Sequence, residues 1–370
     1  MKILVTGANG FIGKNLVVYL KSKGFDDILE FDTVCPRETL AEYTDKCEFV
    51  FDLAGVNRPK DEIEFTEGNT GFTSHLLNLL KKSGNKSPIL FSSSIQAQSN
   101  NPYGESKKAC ENLILNYGKE NGVKTYIYRL PNVFGKWCKP NYNSVVATFC
   151  HNIARGLSIS VNSRETVLQL AYVGDVAEGF LNALYNQETR GECGFCSIQK
   201  IYAIKLGELA NKLYAFNESR KTLVMPRLET DFDRKLYSTF ISYLPENDFA
   251  NSLKVKNDER GWLFEFIKSN GMGQIFISNT KPGITRGNHF HHTKAEKFLV
   301  IKGEATISLR KLGGNEKIEY RVSGNNPRVV DIPAGYTHSI TNIGNDDLIT
   351  LFWANEIFCD SSPDTFYEKV

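Results

Sequence analysis

The sequence has almost no excess of either charge: 44 Lys and Arg stand against 42 Asp and Glu over 370 residues, a formal net of +2. A surface without a dominant sign gives no electrostatic case for a nucleic-acid or membrane-surface protein. It also has no uninterrupted apolar run of about 18 residues, so no membrane span is expected. The chain begins directly on MKILVTGANG, without the charged segment, apolar stretch and cleavage site of a secretory leader. Its eight cysteines lack disulfide-framework spacing, which fits a reducing compartment and a cytoplasmic protein. Cys193 and Cys196 form one CxxC, but a four-cysteine zinc site needs a second pair, so these two are read as packing. Histidine is scarcer still, with six in all, yet His289, His291 and His292 fall within four positions. What remains is ordinary for a globular chain, at 41% hydrophobic and 12% aromatic. Its length exceeds what one core usually serves, so two domains are expected.

Over residues 1–245, apolar runs such as KILVTG, DILEFD, EFVFDLAG, SPILFSSS and KTYIYRL alternate with amphipathic stretches such as FIGKNLVVYLKSKG. That alternation predicts βαβ units and a parallel sheet covered on both faces, with ligands at the carboxyl ends of its strands. The first strand runs into Gly7-x-x-Gly10-x-x-Gly13 directly before a helix. Glycines there allow a tight turn and let a pyrophosphate approach the helix N-terminus. Asp32 ends the second strand about twenty residues on, where an acid commonly holds the ribose 2′-hydroxyl. Arg37 follows and suits a 2′-phosphate, so these residues leave both NAD and NADP open. Tyr103 and Lys107 form YxxxK on a predicted helix, where positions i and i+4 share a face. A cation beside a tyrosine favours the phenolate, bringing a group that titrates near about 10 toward acid–base duty. Ser92, Ser93 and Ser94 close the preceding strand.

The ordered set TGANGFIG, Asp32, DLAG at Asp52 to Gly55, Asn69, SSS, YGESK and RLPNVFG resembles the extended short-chain dehydrogenase/reductases. The resemblance implies Tyr103 as catalytic acid/base, Lys107 as its partner and cofactor ligand, and Ser94 as the carbonyl-polarising hydroxyl, with Ser93 as the alternative. It implies further cofactor contacts from Gly7, Gly10, Phe11, Ile12, Gly13, Asp32, Arg37, Leu53, Ala54 and Pro131. Two departures stand out. An Arg-Asp pair common in the family is replaced by Leu168 and Gln169, with Arg164 nearby, and the histidine of its DxHLAA segment is missing after Asp52.

From residue 246 helical periodicity gives way to short strands separated by Gly, Asn and Pro turns, among them EKFLVIKG, ATISLRK, RVVDIPAG and LITLFWA. An all-β unit of this size closes into a barrel or jelly roll. Its histidines space as Gly283-x5-His289-x-His291-x4-Glu296-x6-Gly303, and then Pro333-x-Gly335-x2-His338-x3-Asn342. His289 and His291 alternate onto one face of a strand, whereas His292 points to the other. Three imidazoles and a carboxylate converging in a barrel make a divalent transition-metal site. The two segments resemble the two motifs of the cupin family, which implies His289, His291, Glu296 and His338 as ligands. Zinc is the first choice. His75 and His151 lie in helical patterns and are read as structural.

A carbonyl acidifies the C–H beside it, and a Lewis acid favours the resulting enolate. The same carbonyl accepts a hydride from a nicotinamide. The two parts, in this order and at this length, resemble a two-domain family of capsular polysaccharide synthesis enzymes. That resemblance implies C3 epimerisation of a UDP-linked 4-keto-6-deoxy-hexosamine in a zinc cupin and NADPH-dependent reduction at C4. The product would be UDP-N-acetyl-6-deoxy-L-talosamine, on the way to UDP-L-FucNAc, and the enzyme a homodimer. The alternative is a UDP-sugar 4-ketoreductase whose barrel serves structure or dimerisation. The base of the epimerisation is open among Lys302, Tyr336 and His292.

Overall fold

Five short runs of apolar and β-branched residues, the first four each leading through a loop into a helix, form a parallel sheet. They are β1 (Ile3–Thr6), β2 (Ile28–Phe31), β3 (Phe49–Asp52), β4 (Ile89–Ser94) and β5 (Thr125–Leu130), in the order β2-β1-β3-β4-β5. The computed structural model describes all residues except 60, 192–193, 254–255, 259–260, 264–266, 268–272 and 357–360. Alternate side chains of each strand enter opposite layers, as the period of two requires. Ile3, Val5, Phe49 and Phe51 pack with Leu16 and Leu20 of α1 (Phe11–Ser22) and with Phe180 of the helix Val173–Leu184. Leu4, Val50 and Ile89 pack on the other side. There they meet Leu40 of α2 (Arg37–Lys46), Leu76 and Leu80 of the helix Phe72–Ser83, and Ile114 of the helix Pro102–Asn121. This is the doubly wound, Rossmann-like sheet that the alternation predicts.

The chain packs as two compact units. The first takes Met1–Phe134, Asn141–Ser144 and Leu168–Ala203; the second takes Gly135–Pro140, Val145–Val167 and Ile204–Val370. The change of pattern at 245/246 marks where helices give way to strands, but the helices Leu206–Thr222 and Asp231–Ile241 pack with the strands that follow. Tyr237 meets Trp353 edge-on at 6.0 Å, and Arg220 reaches the buried Asp331 at 3.2 Å. Such contacts join segments more than a hundred residues apart, so local periodicity does not reveal them.

The second unit carries two antiparallel five-stranded sheets. One runs Gln274–Thr280, Leu348–Ala354, Glu296–Lys302, Arg328–Ile332, Ala250–Ser252. The other runs Lys317–Ser323, Glu304–Lys311, Tyr336–Asn342, Thr285–Phe290, Phe366–Tyr367. The all-β character expected of the C-terminal part is therefore present. Among the described residues, no helix is long and apolar enough to cross a membrane. Cys193 of the CxxC lies outside the described residues, and Cys196 is a buried free thiol.

Candidate functional sites

The glycine loop is shaped by close approach. Gly7 has φ +63°, and a Cβ there would stand 2.9 Å from the backbone of Ala54. A Cβ on Gly13 would stand 2.1 Å from the Gly7 carbonyl oxygen, so α1 touches the turn directly. Gly10 N–H donates to that same carbonyl at 2.9 Å. Asp32, just past β2, accepts from Asn9 N–H at 2.8 Å and ties the second strand to the loop. Arg37 opens α2 and is exposed. Beneath the loop, the Thr6 hydroxyl donates to Asp52 at 2.9 Å and accepts from the amides of Leu53 and Ala54. Thr73 donates to the other Asp52 oxygen at 3.0 Å. Burial pushes the Asp52 carboxyl up to about 6. The loop, Asp32, Leu53 and Ala54 thus surround the carboxyl end of β1, with Phe11 and Ile12 opening α1 beside them.

Ser94 lies beside Tyr103, where it favours the phenolate, and its hydroxyl accepts from Gln96 N–H at 3.1 Å. Ser93, the alternative, is otherwise engaged: its hydroxyl donates to the buried Glu111 at 2.6 Å. Lys107 is buried, donates to the Ser92 carbonyl at 3.0 Å and lies 4.8 Å from the Phe91 ring. Burial pushes Tyr103 up to about 12, opposed by Ser94, and pulls Lys107 below its ordinary value. The ammonium is held toward β4 by the Ser92 carbonyl. Residue 111 continues the Tyr103, Lys107 face by one further turn, a pattern legible in the sequence but not used. Glu111 forms a bidentate pair with Arg129 at 2.7 and 2.9 Å, and Phe195 stacks on the guanidinium at 4.0 Å. Arg129, Phe195, Ile95, Gln98, Pro131 and Gln169 line a cavity of about 420 Å³. It opens past the ends of β4 and β5, where ligands bind on such sheets. Arg164 is placed elsewhere, bonded to Asn211 at 3.0 Å.

In the second unit His289, His291, Glu296 and His338 converge, with one potential ligand atom from each lying within 4.8 Å of the others. The two sheets each contribute, Glu296 from one and His289 and His338 from the other. Reaching this cluster takes a β-bulge between Gly287 and His289. Asn288 adopts φ +55° there, which brings His289 opposite His338. Glu296 Oε2 lies 3.2 Å from His291 Nε2 and 3.1 Å from His338 Nε2. Neither ring nitrogen of the fully buried His338 has an aligned hydrogen-bond partner. A buried imidazole left in that state is costly, and a metal ion would satisfy it, so the donor set fits a divalent transition metal. Burial, with His338 and His291, pulls His289 down to about 3; burial also lowers His338. Burial opposes the charge on Glu296, yet His291 and His338 hold it well below the carboxylate range.

His292 lies past the end of the strand Thr285–Phe290 and outside the cluster: its Nδ1 lies 3.1 Å from Lys136 Nζ and its ring 4.9 Å from Phe366. Of the other two candidate bases, Tyr336 donates to Glu246 at 2.7 Å and Lys302 is exposed. His75 and His151 sit on the helices Phe72–Ser83 and Val145–Ala154. The sequence reading missed Asp364, whose carbonyl meets His291 Nδ1.

Residues 3–194 match the NAD dependent epimerase/dehydratase family, and residues 256–366 match the polysaccharide biosynthesis C-terminal domain. The chain is 42% identical over 366 residues to the UDP-2-acetamido-2,6-beta-L-arabino-hexul-4-ose reductase of Pseudomonas aeruginosa, covering 99% of this chain and 98% of that one. Among solved structures it resembles the capsular polysaccharide assembling protein CapF of Staphylococcus aureus, at 46% identity and TM-score 0.70 over the full length of both chains. CapF with the inhibitor 3-isopropenyl-tropolone aligns over the same full lengths at 42% identity and TM-score 0.65. A Rossmann-like sheet, a glycine loop and a YxxxK helix define a nucleotide-dependent short-chain fold. By these matches the chain belongs to the NAD dependent epimerase/dehydratase family.

Proposed function

We propose that this chain is a bifunctional nucleotide-sugar enzyme of capsular polysaccharide biosynthesis. Residues 1–245 serve as the NADPH-dependent extended short-chain reductase, and residues 246–370 as a cupin jelly roll that holds zinc. The second part epimerises C3 of a UDP-linked 4-keto-6-deoxy-hexosamine. The first part then reduces C4 to give UDP-N-acetyl-6-deoxy-L-talosamine, in the UDP-L-FucNAc pathway. The enzyme works in the cytoplasm as a homodimer. The observation that carries this reading is a largely buried three-histidine, one-glutamate cluster in the same chain as Tyr103 with Ser94 beside it. The chain's 42% identity to the hexul-4-ose reductase supports the substrate class.

NADPH, when bound, supplies the hydride to C4. Tyr103 then delivers the proton to the C4 oxygen. Burial keeps the phenol protonated, the form a donor requires. Ser94 holds both that oxygen and the phenol in line, and Lys107 anchors the cofactor ribose from the floor of β4. A zinc ion held by His289, His291, Glu296 and His338 would supply Lewis acidity at the keto oxygen during epimerisation.

The deciding experiment incubates the enzyme with a UDP-4-keto-6-deoxy sugar in D2O without NADPH and follows deuterium at C3 by NMR. Exchange that survives Tyr103→Phe and is lost in His289→Ala supports two separate chemistries. Absence of exchange in every sample overturns the epimerase half and leaves a 4-ketoreductase with an appended barrel. That second reading is favoured by the name of the Pseudomonas relative, which mentions reduction only.

A further inference from the structure

Two of the four cluster residues are held by the last residues of the chain. Phe366–Tyr367 adds a strand beside Thr285–Phe290, in register with Tyr367 opposite His289 and Phe366 opposite Phe290. Glu368 N–H donates to the Asn288 carbonyl at 2.9 Å, at the bulge that re-aims His289. Glu368 is itself held by Arg310 at 2.8 Å, and its carbonyl accepts from the Thr337 hydroxyl.

Asp364 makes the denser set of contacts. One carboxylate oxygen accepts from His292 N–H at 2.8 Å. The other accepts from Thr293 N–H at 2.7 Å, the Thr293 hydroxyl at 2.9 Å and Lys294 N–H at 2.8 Å. Its own carbonyl meets His291 Nδ1. A carbonyl can only accept, so Nδ1 carries a proton, and a metal ion that replaced the Nε2–H···Glu296 contact at 3.2 Å would meet the Nε2 lone pair. The residue stands 73 positions from His291.

We infer that Asp364–Val370 is a clamp on the metal centre and that Asp364 is its positioning residue. The Asp364 carbonyl selects the tautomer of His291, and the Asp364 carboxylate fixes the turn over residues 292–294, so that the ring cannot swing away. This rests on reading His289, His291, Glu296 and His338 as metal ligands. Partners of this kind behind a ligating histidine typically carry about 10- to 100-fold in metal affinity.

The test strips the full-length chain with a chelator and titrates it with Co2+, reading visible absorption, and with Zn2+ against a chromophoric chelator. Wild type, Asp364→Ala, Asp364→Asn and His289→Ala run in parallel, each checked for folding by thermal unfolding of the metal-free protein. Asp364→Ala removes the four carboxylate bonds that seat the Asp364 carbonyl on His291 Nδ1, so the expected result is a loss of about tenfold or more in Co2+ and Zn2+ affinity, with an altered Co2+ spectrum at saturation. Asp364→Asn keeps the shape and one acceptor, so it falls between Asp364→Ala and wild type, and it decides the matter if Asp364→Ala fails to fold. Wild-type affinity and spectrum in the Asp364 variants, with binding lost in His289→Ala, overturn the clamp and leave the metal site standing. Failure of wild type to bind, or wild-type binding by His289→Ala, overturns the metal reading and the clamp with it.

Discussion

A single methyl group tests how the glycine loop works. In Gly13→Ala the new Cβ would stand 2.1 Å from the Gly7 carbonyl oxygen, 2.9 Å from its carbon and 3.0 Å from Ala8 Cα. Comfortable carbon contacts lie at about 3.5 Å, so loop and helix must part by about 1 Å. The loop has little room to retreat. The Gly7 carbonyl is bonded to Gly10 N–H, and the opposite side of Gly7 abuts Leu53 and Ala54. Overpacking of this kind costs about 1–3 kcal/mol of stability. The same displacement would pull loop amides off a dinucleotide pyrophosphate; a hydrogen bond to a charged group is worth about 1.5–3 kcal/mol, so losing one should weaken nicotinamide-cofactor binding at least about tenfold. Gly24→Ala is the control. Gly24 has φ +87° with nothing within 4 Å, so its cost of about 1–2 kcal/mol is conformational alone. The assay is an NADPH fluorescence titration beside thermal unfolding for both variants. Binding by Gly13→Ala within twofold of wild type, or an equal loss in Gly24→Ala, would refute the reasoning.

Asp52 has its folded pKa raised from 3.8 to about 6, so its contribution to stability is fully present below about 4 and is lost as pH rises through 6. At about 1.4 kcal/mol per unit the difference is about 3 kcal/mol. The stability of Asp52→Asn relative to wild type should therefore climb between pH 4 and 7 in urea titrations, and a flat difference would contradict it. Ser94→Ala should lower kcat for ketone reduction by about a hundredfold through loss of one hydroxyl at the developing oxyanion. Ser93→Ala should instead cost about 1.5–3 kcal/mol of stability by removing a hydrogen bond to buried Glu111, with activity per folded enzyme within a few-fold. The reverse pattern in steady-state rates and unfolding midpoints would reassign the two serines.

Local signals in the chain determined the βαβ order, the glycine turn, the YxxxK face and the spacing of His289, His291 and Glu296, because each depends on near neighbours along the chain. Tertiary structure decided the rest. Ser94 and not Ser93 lies beside Tyr103, because Ser93 donates to Glu111, which Arg129 holds in place. Lys107 faces β4, because burial leaves the Ser92 carbonyl as its acceptor. The helices before residue 246 pack with the strands after it, and a bulge at Asn288 re-aims His289. Asp364 meets His291 across 73 positions, and Lys136 meets His292 across 156. Contacts of that range are set by which surfaces the folded sheets bring together, and no periodicity of two or 3.6 residues encodes them.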